Sequence, residues 1–387
     1  MISDAVSEAG RASFARIVAT LIRITGDWTL AEDCAQEALA AALEKWPRDG
    51  IPGNPGGWLM TVARNRAIDT LRRTAVESRK LRELAVMSDF SPETPEIEDD
   101  RLRLIFTCCH PALALEARVA LTLRTIAGVP TADIARTFLV TESTMTRRIT
   151  RAKTKIAEAR IPYRVPSGAE LLDRLAGVLG VLYLLFTRGY DADGEPAFAE
   201  EAIRLTRLLA SLMPDEPEVW GLLALCLLQH SRRGARRDAD GRLVTLERQD
   251  RARWDRAMIE EGLAIVGRTR VTGPYTVQAR IAAEHVADST DWVAVAGWYD
   301  ALAEAQPTPA VRLNRAVAHG YAFGPAAGLE LLSDISDMPE SYVLAVEADL
   351  LARSGDRTRA AQLFRRAAET APSEVERLAL LARAGEW

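Results

Sequence analysis

The stretch that decides the reading of this chain is TADIARTFLVTESTMTRRITRAKTKI, Thr131 to Ile156. Ile134, Ala135 and Phe138 have helical spacing, and Thr131 stands where a cap for that helix belongs. Thr141 caps a second helix, with Glu142 favourably placed near its N-terminus. On that helix Met145, Ile149, Ala152 and Ile156 recur at offsets of four, three and four and form one apolar stripe. At about 100° per residue, Ser143, Arg147, Thr150, Arg151 and Thr154 fall on the opposite face, and Arg148, Lys153 and Lys155 on its flanks. A helix packed by one stripe and presenting Arg and Thr on the other suits the major groove of DNA. Arginine makes bidentate contacts to guanine, each discriminating by about 1–3 kcal/mol, and flanking cations suit phosphates. The competing reading is a solvated basic face. The short preceding helix, the tight connection and the local charge favour DNA binding.

That charge is local. The 387-residue chain carries a formal net charge of −5. Residues 101–165 hold 12 Lys and Arg against 4 Asp and Glu, whereas 76–100 hold 3 against 8 and 166–387 hold 25 against 33. Residues 1–75 balance at 9 and 9. One basic block therefore sits between an acidic linker and a large acidic C-terminal part. With 48% hydrophobic and 27% charged residues the composition is that of a soluble globular protein, and the length predicts two or three domains. The start MISDAVSEAG lacks the apolar core of a signal peptide. The longest apolar run, Leu175 to Phe186, is short of the roughly 20 residues a bilayer needs and reads as a buried helix segment. Four cysteines in so long a chain make no disulfide framework, which points to the reducing cytoplasm.

Nearly every periodic segment is helical in spacing, strand-like alternation is essentially missing, and Ala, Leu, Arg and Glu dominate. The fold class is all-α. IPGNPGG (51–57) is a loop inside the first segment, residues 1–80. Residues 81–100, with MSDFSPETPEIEDD at 87–100, carry acids and prolines and read as a linker. The basic block occupies 101–165, and IPYRVPSG (161–168) breaks the helical pattern again. Residues 166–387 contain degenerate helix pairs. In the clearest, Ala348, Leu351, Gly355, Ala360, Phe364, Ala367 and Pro372 approach tetratricopeptide spacing, with weaker echoes ending at ASLMPDEP (210–217) and ALAEAQPTP (301–309). An irregular helical-repeat array is expected there.

Two further stretches complete a pattern. In LAEDCAQEALAAALEKW (30–46) the stripe is Ala35, Leu39, Ala42 and Leu43, with Asp33, Glu37 and Glu44 on an acidic outward face and Gln36 beside it. GGWLMTVARNRAIDTLRR (56–73) carries Arg64, Asn65, Arg66, Asp69, Arg72 and Arg73. In that order, followed by a linker and a helix-turn-helix, these resemble the sigma-70 family of bacterial RNA polymerase sigma factors. More narrowly they resemble the extracytoplasmic-function group (group IV), which keeps only the second and fourth sigma domains. The likeness covers residues 10–160. GVLYLLFTRGY, PDEPEVWGLLALCLL, QDRARWDRAMIEEGL, TPAVRLNRAVAHG and CCHPAL (108–113) resemble one subgroup with a C-terminal tetratricopeptide-like extension.

The resemblance implies core RNA polymerase and promoter DNA as partners. Asp33, Gln36 and Glu37 would pair with basic residues of the polymerase clamp. Arg64 and Asn65 would face bases of the −10 element and Arg66, Arg72 and Arg73 its phosphates, with Asp69 on the same helix. The residues from Ser143 to Lys155, namely Ser143, Thr144, Arg147, Arg148, Thr150, Arg151, Lys153, Thr154 and Lys155, would read the −35 element. The acidic linker would lie in polymerase channels. Single-stranded DNA binding uses stacking side chains, for which Trp58 is a candidate, although Trp46 and Trp58 read better as core anchors.

Cys108, Cys109 and His110 invite a metal reading, but adjacent helical residues point about 100° apart and chelate poorly, so buried small residues are the better reading. DADG occurs at 191–194 and 238–241 without the rest of a calcium loop and reads as turns. No triad, phosphate loop or GxGxxG motif is present, four histidines give no support to acid–base catalysis, and neither an enzyme nor a cofactor or metal is expected. The alternatives are a stand-alone helix-turn-helix regulator with a helical-repeat sensor domain, or a repeat scaffold with an incidental N-terminus. The acidic helix at 30–46 argues against both. From the charge split alone, the C-terminal part is expected either to mask the basic block or to receive a signal through a partner protein or peptide.

Overall fold

The computed structural model describes residues 2–75, 100–138, 140–190, 196–238, 243–333, 335 and 338–386. Residues 81–99 of the acidic linker and the first DADG lie outside these residues, as does most of the second, whereas Asp100, read as the linker's last residue, opens a helix. The described chain is helical, with no strand beyond one isolated bridge between Arg237 and Leu243. It divides into two units, 1–185 and 186–387.

In the first unit, α1 (Ile2–Thr25), α2 (Trp28–Asp49) and α3 (Pro55–Ala75) form a bundle. Asp27 caps α2 by accepting from the backbone N–H groups of Thr29 and Leu30, and Gly50 ends it at φ +84°, a conformation that costs residues with a Cβ far more. The bundle core is Phe14, Ile17, Val18 and Leu21 of α1, the small residues Ala31, Ala35, Ala38 and Ala42 of α2, and Leu59, Ala63 and Ala67 of α3. Small residues on α2 let the helices approach closely. Trp46 is buried and Trp58 meets it edge-on with ring centroids 5.7 Å apart, so the pair anchors the base of the bundle.

The second module of this unit is α4 (Asp100–Cys108), α5 (Leu115–Thr125), α6 (Thr131–Thr137) and α7 (Glu142–Glu158). Its core holds Leu104, Phe106, Leu121, Leu123, Ile126, Ile134 and Met145. Thr131 opens α6 instead of capping it, since Pro130 occupies the N-cap position. Pro130 is compatible there because the first helical N–H groups have no partner within the helix. The CCHPAL turn packs inward. Cys108 and Cys109 are buried, Cys109 Sγ lies 3.6 Å from the Thr122 hydroxyl, and His110 Nδ1 accepts from the Ala112 N–H. Burial pushes the Cys109 thiol up to about 11. Among the described residues no group of three metal-ligating side chains assembles. The helix α8 (Ala169–Tyr190) begins on this module, where buried Arg174 donates to the Phe106 carbonyl at 2.6 Å. Leu175, Val178, Leu179, Val181, Leu182 and Leu185 are buried, as the apolar run predicts. No helix among the described residues is long and apolar enough to cross a membrane.

The second unit is a series of helical hairpins, α9 (Pro196–Leu212), α10 (Pro217–His230), α11 (Arg256–Arg268), α12 (Pro274–Val286), α13 (Trp292–Ala305), α14 (Pro309–Phe323), α15 (Pro325–Leu332), α16 (Glu340–Ser354), α17 (Arg357–Glu369) and α18 (Glu374–Ala384). The repeat read at 342–372 is the hairpin α16–α17. Gly355 turns it at φ +97°, and Ala348, Ala360, Phe364 and Ala367 are buried between the helices. Both weaker echoes also end helices, at Leu212 and Ala305.

Candidate nucleic-acid interface

Helix α7 presents what its pattern predicts. Met145, Ile149, Ala152 and Ile156 are its buried residues, and the Thr141 hydroxyl accepts from the Thr144 N–H at 3.3 Å. Ser143, Thr144, Arg147, Thr150, Arg151, Thr154 and Lys155 are exposed. Thr144, Arg147, Arg148, Arg151 and Lys155 line an open groove with Leu113, Ala114 and Ala117 at the start of α5. Two of the predicted DNA contacts sit differently. Arg148 is half-buried, its guanidinium 5.7 Å from the Phe138 ring centroid. Lys153 is only 17% exposed, with its ammonium 2.9 Å from a carboxylate oxygen of Glu32 on α2.

On α2 the exposed arc comprises Asp33, Gln36, Glu37, Ala40, Leu43 and Glu44. Leu43, read as part of the buried stripe, is 49% exposed and lies at the edge of this arc. The core face is centred on Ala31, Ala35, Ala38 and Ala42, which rotates Leu43 outward. Beneath the arc, burial raises the pKa of the Cys34 thiol, and the Glu37 and Asp33 carboxylates add to the shift.

On α3, Asn65, Arg66, Asp69, Arg72 and Arg73 are exposed and Arg64 is half-buried. Arg66 is paired with Glu37 at 2.5 Å, with both side chains about half exposed. An exposed pair of this kind is worth roughly 0–1 kcal/mol and exchanges readily for other partners. Ile68 is half-buried on the far side of the Leu59, Ala63 and Ala67 stripe, consistent with burial on more than one face of α3.

Sequence reasoning passed over Glu32. It is 5% exposed, and its carboxylate accepts from the Thr125 hydroxyl at 3.0 Å and pairs with Lys153 at 2.9 Å and Arg124 at 3.6 Å. Its only signal was its place one residue before Asp33, toward the core side of α2.

Comparison with known proteins finds a family match for each module of the first unit. Residues 12–76 match Sigma-70 region 2 and residues 103–156 match Sigma-70, region 4. Residues 174–270 match a family of unknown function, DUF6596. An uncharacterized protein of Rhizobium meliloti (strain 1021) is 41% identical over 379 residues, which is 92% of this chain and 89% of that protein. The ECF RNA polymerase sigma factor SigL of Mycobacterium tuberculosis (strain ATCC 25618 / H37Rv) is 34% identical over 134 residues, 33% of this chain and 73% of SigL. The probable ECF RNA polymerase sigma factor SigI of the same strain is 30% identical over 165 residues, 41% of this chain and 56% of SigI. No solved structure matches.

Proposed function

Because this chain belongs to the extracytoplasmic-function sigma factors of RNA polymerase, we propose that its residues divide promoter recognition among three helices. The chain is a sigma factor, a subunit that directs core polymerase to promoters and takes part in transcription initiation. In our reading the exposed arc of α2 docks on core polymerase, with Asp33, Gln36 and Glu37 meeting basic groups and Leu43 adding apolar area beside them. Helix α3 holds the −10 element, Arg64 and Asn65 toward bases and Arg66, Arg72 and Arg73 toward phosphates. Helix α7 reads the −35 element through Ser143, Thr144, Arg147, Thr150, Arg151 and Thr154, with Arg148, Lys153 and Lys155 at its flanks.

The observation that carries this reading is the Glu37–Arg66 pair, which ties an acidic surface and a basic one across a single small bundle. Basic groups of the polymerase that claim Glu37 release Arg66 for phosphate, so docking and DNA binding reinforce one another. A stand-alone regulator has no use for that acidic arc. Reversing the charges with Asp33→Arg and Glu37→Arg tests the proposal. Co-purification with core polymerase and promoter-directed transcription are both expected to be lost, while binding to −35 duplex persists. Wild-type initiation by the double variant refutes the docking assignment.

The C-terminal helical part regulates or supports this activity, and the charge division between 101–165 and 166–387 motivates the reading. A chain truncated for this test must end near Leu185, because Arg174 of α8 donates to the Phe106 carbonyl and residues 1–185 form one unit. Stronger promoter binding by the shortened chain supports masking, and failure to initiate marks the extension as required.

A further inference from the structure

The connection between α10 and α11 runs from 231 to 255, and its described residues form only three short 3-10 turns, Arg233–Ala235, Leu246–Arg248 and Arg251–Arg253. Connections beyond about 12–15 residues are uncommon and usually functional. This one holds eight arginines against five carboxylates, whereas residues 166–387 as a whole hold 25 Lys and Arg against 33 Asp and Glu. Trp254 is buried near its end, where the Asp255 N–H donates to the Ser231 carbonyl at 2.8 Å. From Leu243 to Arg253, in contrast, no side chain is buried.

This segment crosses the helical hairpins of its unit to their far end. The Arg251 guanidinium donates to the Ala287 carbonyl, just past α12, at 2.5 Å. Glu247 lies 3.8 Å from Arg353 of α16, whose guanidinium sits 3.6 Å from the Tyr321 ring centroid on α14. Arg248 forms a two-pronged pair with Glu386, just past α18, with its second contact at 2.8 Å. Behind Glu386, Arg383 of α18 pairs with Asp349 of α16 at 2.6 Å, and Asp349 accepts from the Tyr321 hydroxyl at 3.0 Å. These groups come from every second helix of the series. Alternate helices of stacked hairpins share one face, which such arrays expose as an extended binding surface. The chain's own segment lies on that face as a peptide ligand would.

The contacts are specific in geometry and weak in strength. A two-pronged arginine–carboxylate pair selects its partner by shape as well as charge. Arg248 is nonetheless 57% exposed, and exposed pairs contribute little and exchange readily. We propose that this face binds an extended segment of a partner protein that carries an arginine beside a carboxylate, and that residues 243–253 occupy it as an internal stand-in until that segment displaces them. Glu386 takes the partner's arginine and Arg353 its carboxylate. A lysine, being a point charge, cannot reproduce the two-pronged contact. The inference goes beyond the promoter-recognition reading and does not rest on it, because its test reads peptide binding alone.

The test uses the full chain and, as probe, a fluorescein-labelled peptide of residues 243–255, read by anisotropy. Glu247→Ala with Arg248→Ala removes the anchors of the internal segment and leaves the face intact. The peptide is expected to bind this variant at least about tenfold more tightly than the native chain, where the tethered segment competes at an effective concentration in the millimolar range. Adding Glu386→Arg is expected to remove that binding, and a peptide carrying Arg248→Glu to restore it. Rescue by exchanged charges separates a lost site from lost folding. Equal binding by the native and double-alanine chains overturns the proposal, as does binding indifferent to Glu386→Arg. Self-association of the native chain that Arg248→Ala abolishes, measured by light scattering, would make a second copy the occupant and overturn the assignment to a partner.

Discussion

The separation of Lys153 from Lys155 leads to a prediction that sequence pattern alone would not make. Both lie on the flank of α7, yet Lys155 is exposed whereas Lys153 is held by Glu32. Each phosphate neutralised on B-DNA contributes about −0.9 to the slope of log K against log salt. If three exposed cations of this module, Lys155 among them, take phosphates, raising salt from about 50 to 200 mM weakens binding of −35 duplex roughly 40-fold. Recruiting Lys153 as a fourth contact makes that factor roughly 150-fold. In the free protein Lys155→Ala is therefore expected to flatten the slope by about 0.9, and Lys153→Ala to leave it unchanged. Glu32→Gln removes the carboxylate charge that holds Lys153 and is expected to steepen the slope by the same amount. Fluorescence anisotropy of a labelled duplex bearing only the −35 element, titrated across salt concentrations, measures all three. An equal loss of slope for Lys153→Ala and Lys155→Ala would show that Lys153 already contacts DNA and that the Glu32 pair is not formed in solution.

Three further outcomes test the scaffold. Met145→Ala removes a fully buried side chain that pins α7 to its module, and is expected to cost about 2–5 kcal/mol in chemical unfolding and to abolish duplex binding. Gly328→Ala would set a Cβ 2.6 Å from the Ala316 carbonyl oxygen and 2.9 Å from the Gly320 Cα, both backbone, so a loss of about 1–3 kcal/mol in the thermal unfolding of the repeat unit is expected. His285 is buried against Trp292, and burial, with Arg232 adding repulsion, lowers its pKa to about 4. The folded value lies below the ordinary 6.5, so its contribution is intact above that pH and is lost as pH falls through about 4. The loss amounts to at most about 3 kcal/mol, and a His285→Leu variant should show a flatter decline in thermal midpoint over that window.

What the sequence made legible follows from periodicity. The α7 stripe is regular, and all four of its members are buried. The α16–α17 hairpin was readable because a left-handed turn selects Gly355 and close packing selects Ala360 and Ala367. Where several faces are buried, the pattern loses its phase. On α2 the core is made mainly of alanines, which carry weak hydrophobic contrast, so the centre of the stripe was misjudged and Leu43 assigned inward. The same weakness hid the N-terminus of α6, where proline, not threonine, occupies the cap.

Glu32 shows a different kind of limit. A carboxylate between Ala31 and Asp33 in an acidic stretch reads as one more solvated charge, because burial of an ionised group is costly unless it is matched. Its matching groups lie 92, 93 and 121 positions downstream, in a separate module, so no local pattern can announce them. Removing one member of such a buried set costs more than the set contributes in net stability, because the remaining charges are left without compensation. That asymmetry makes the seam between the modules sensitive to a single substitution. Substituting Glu32 alone leaves Lys153 and Arg124 without their carboxylate, and the partly desolvated cations then favour leaving for water. A seam closed by apolar contact alone would weaken gradually as it opened. One closed around a matched buried charge responds steeply to the loss of a single partner.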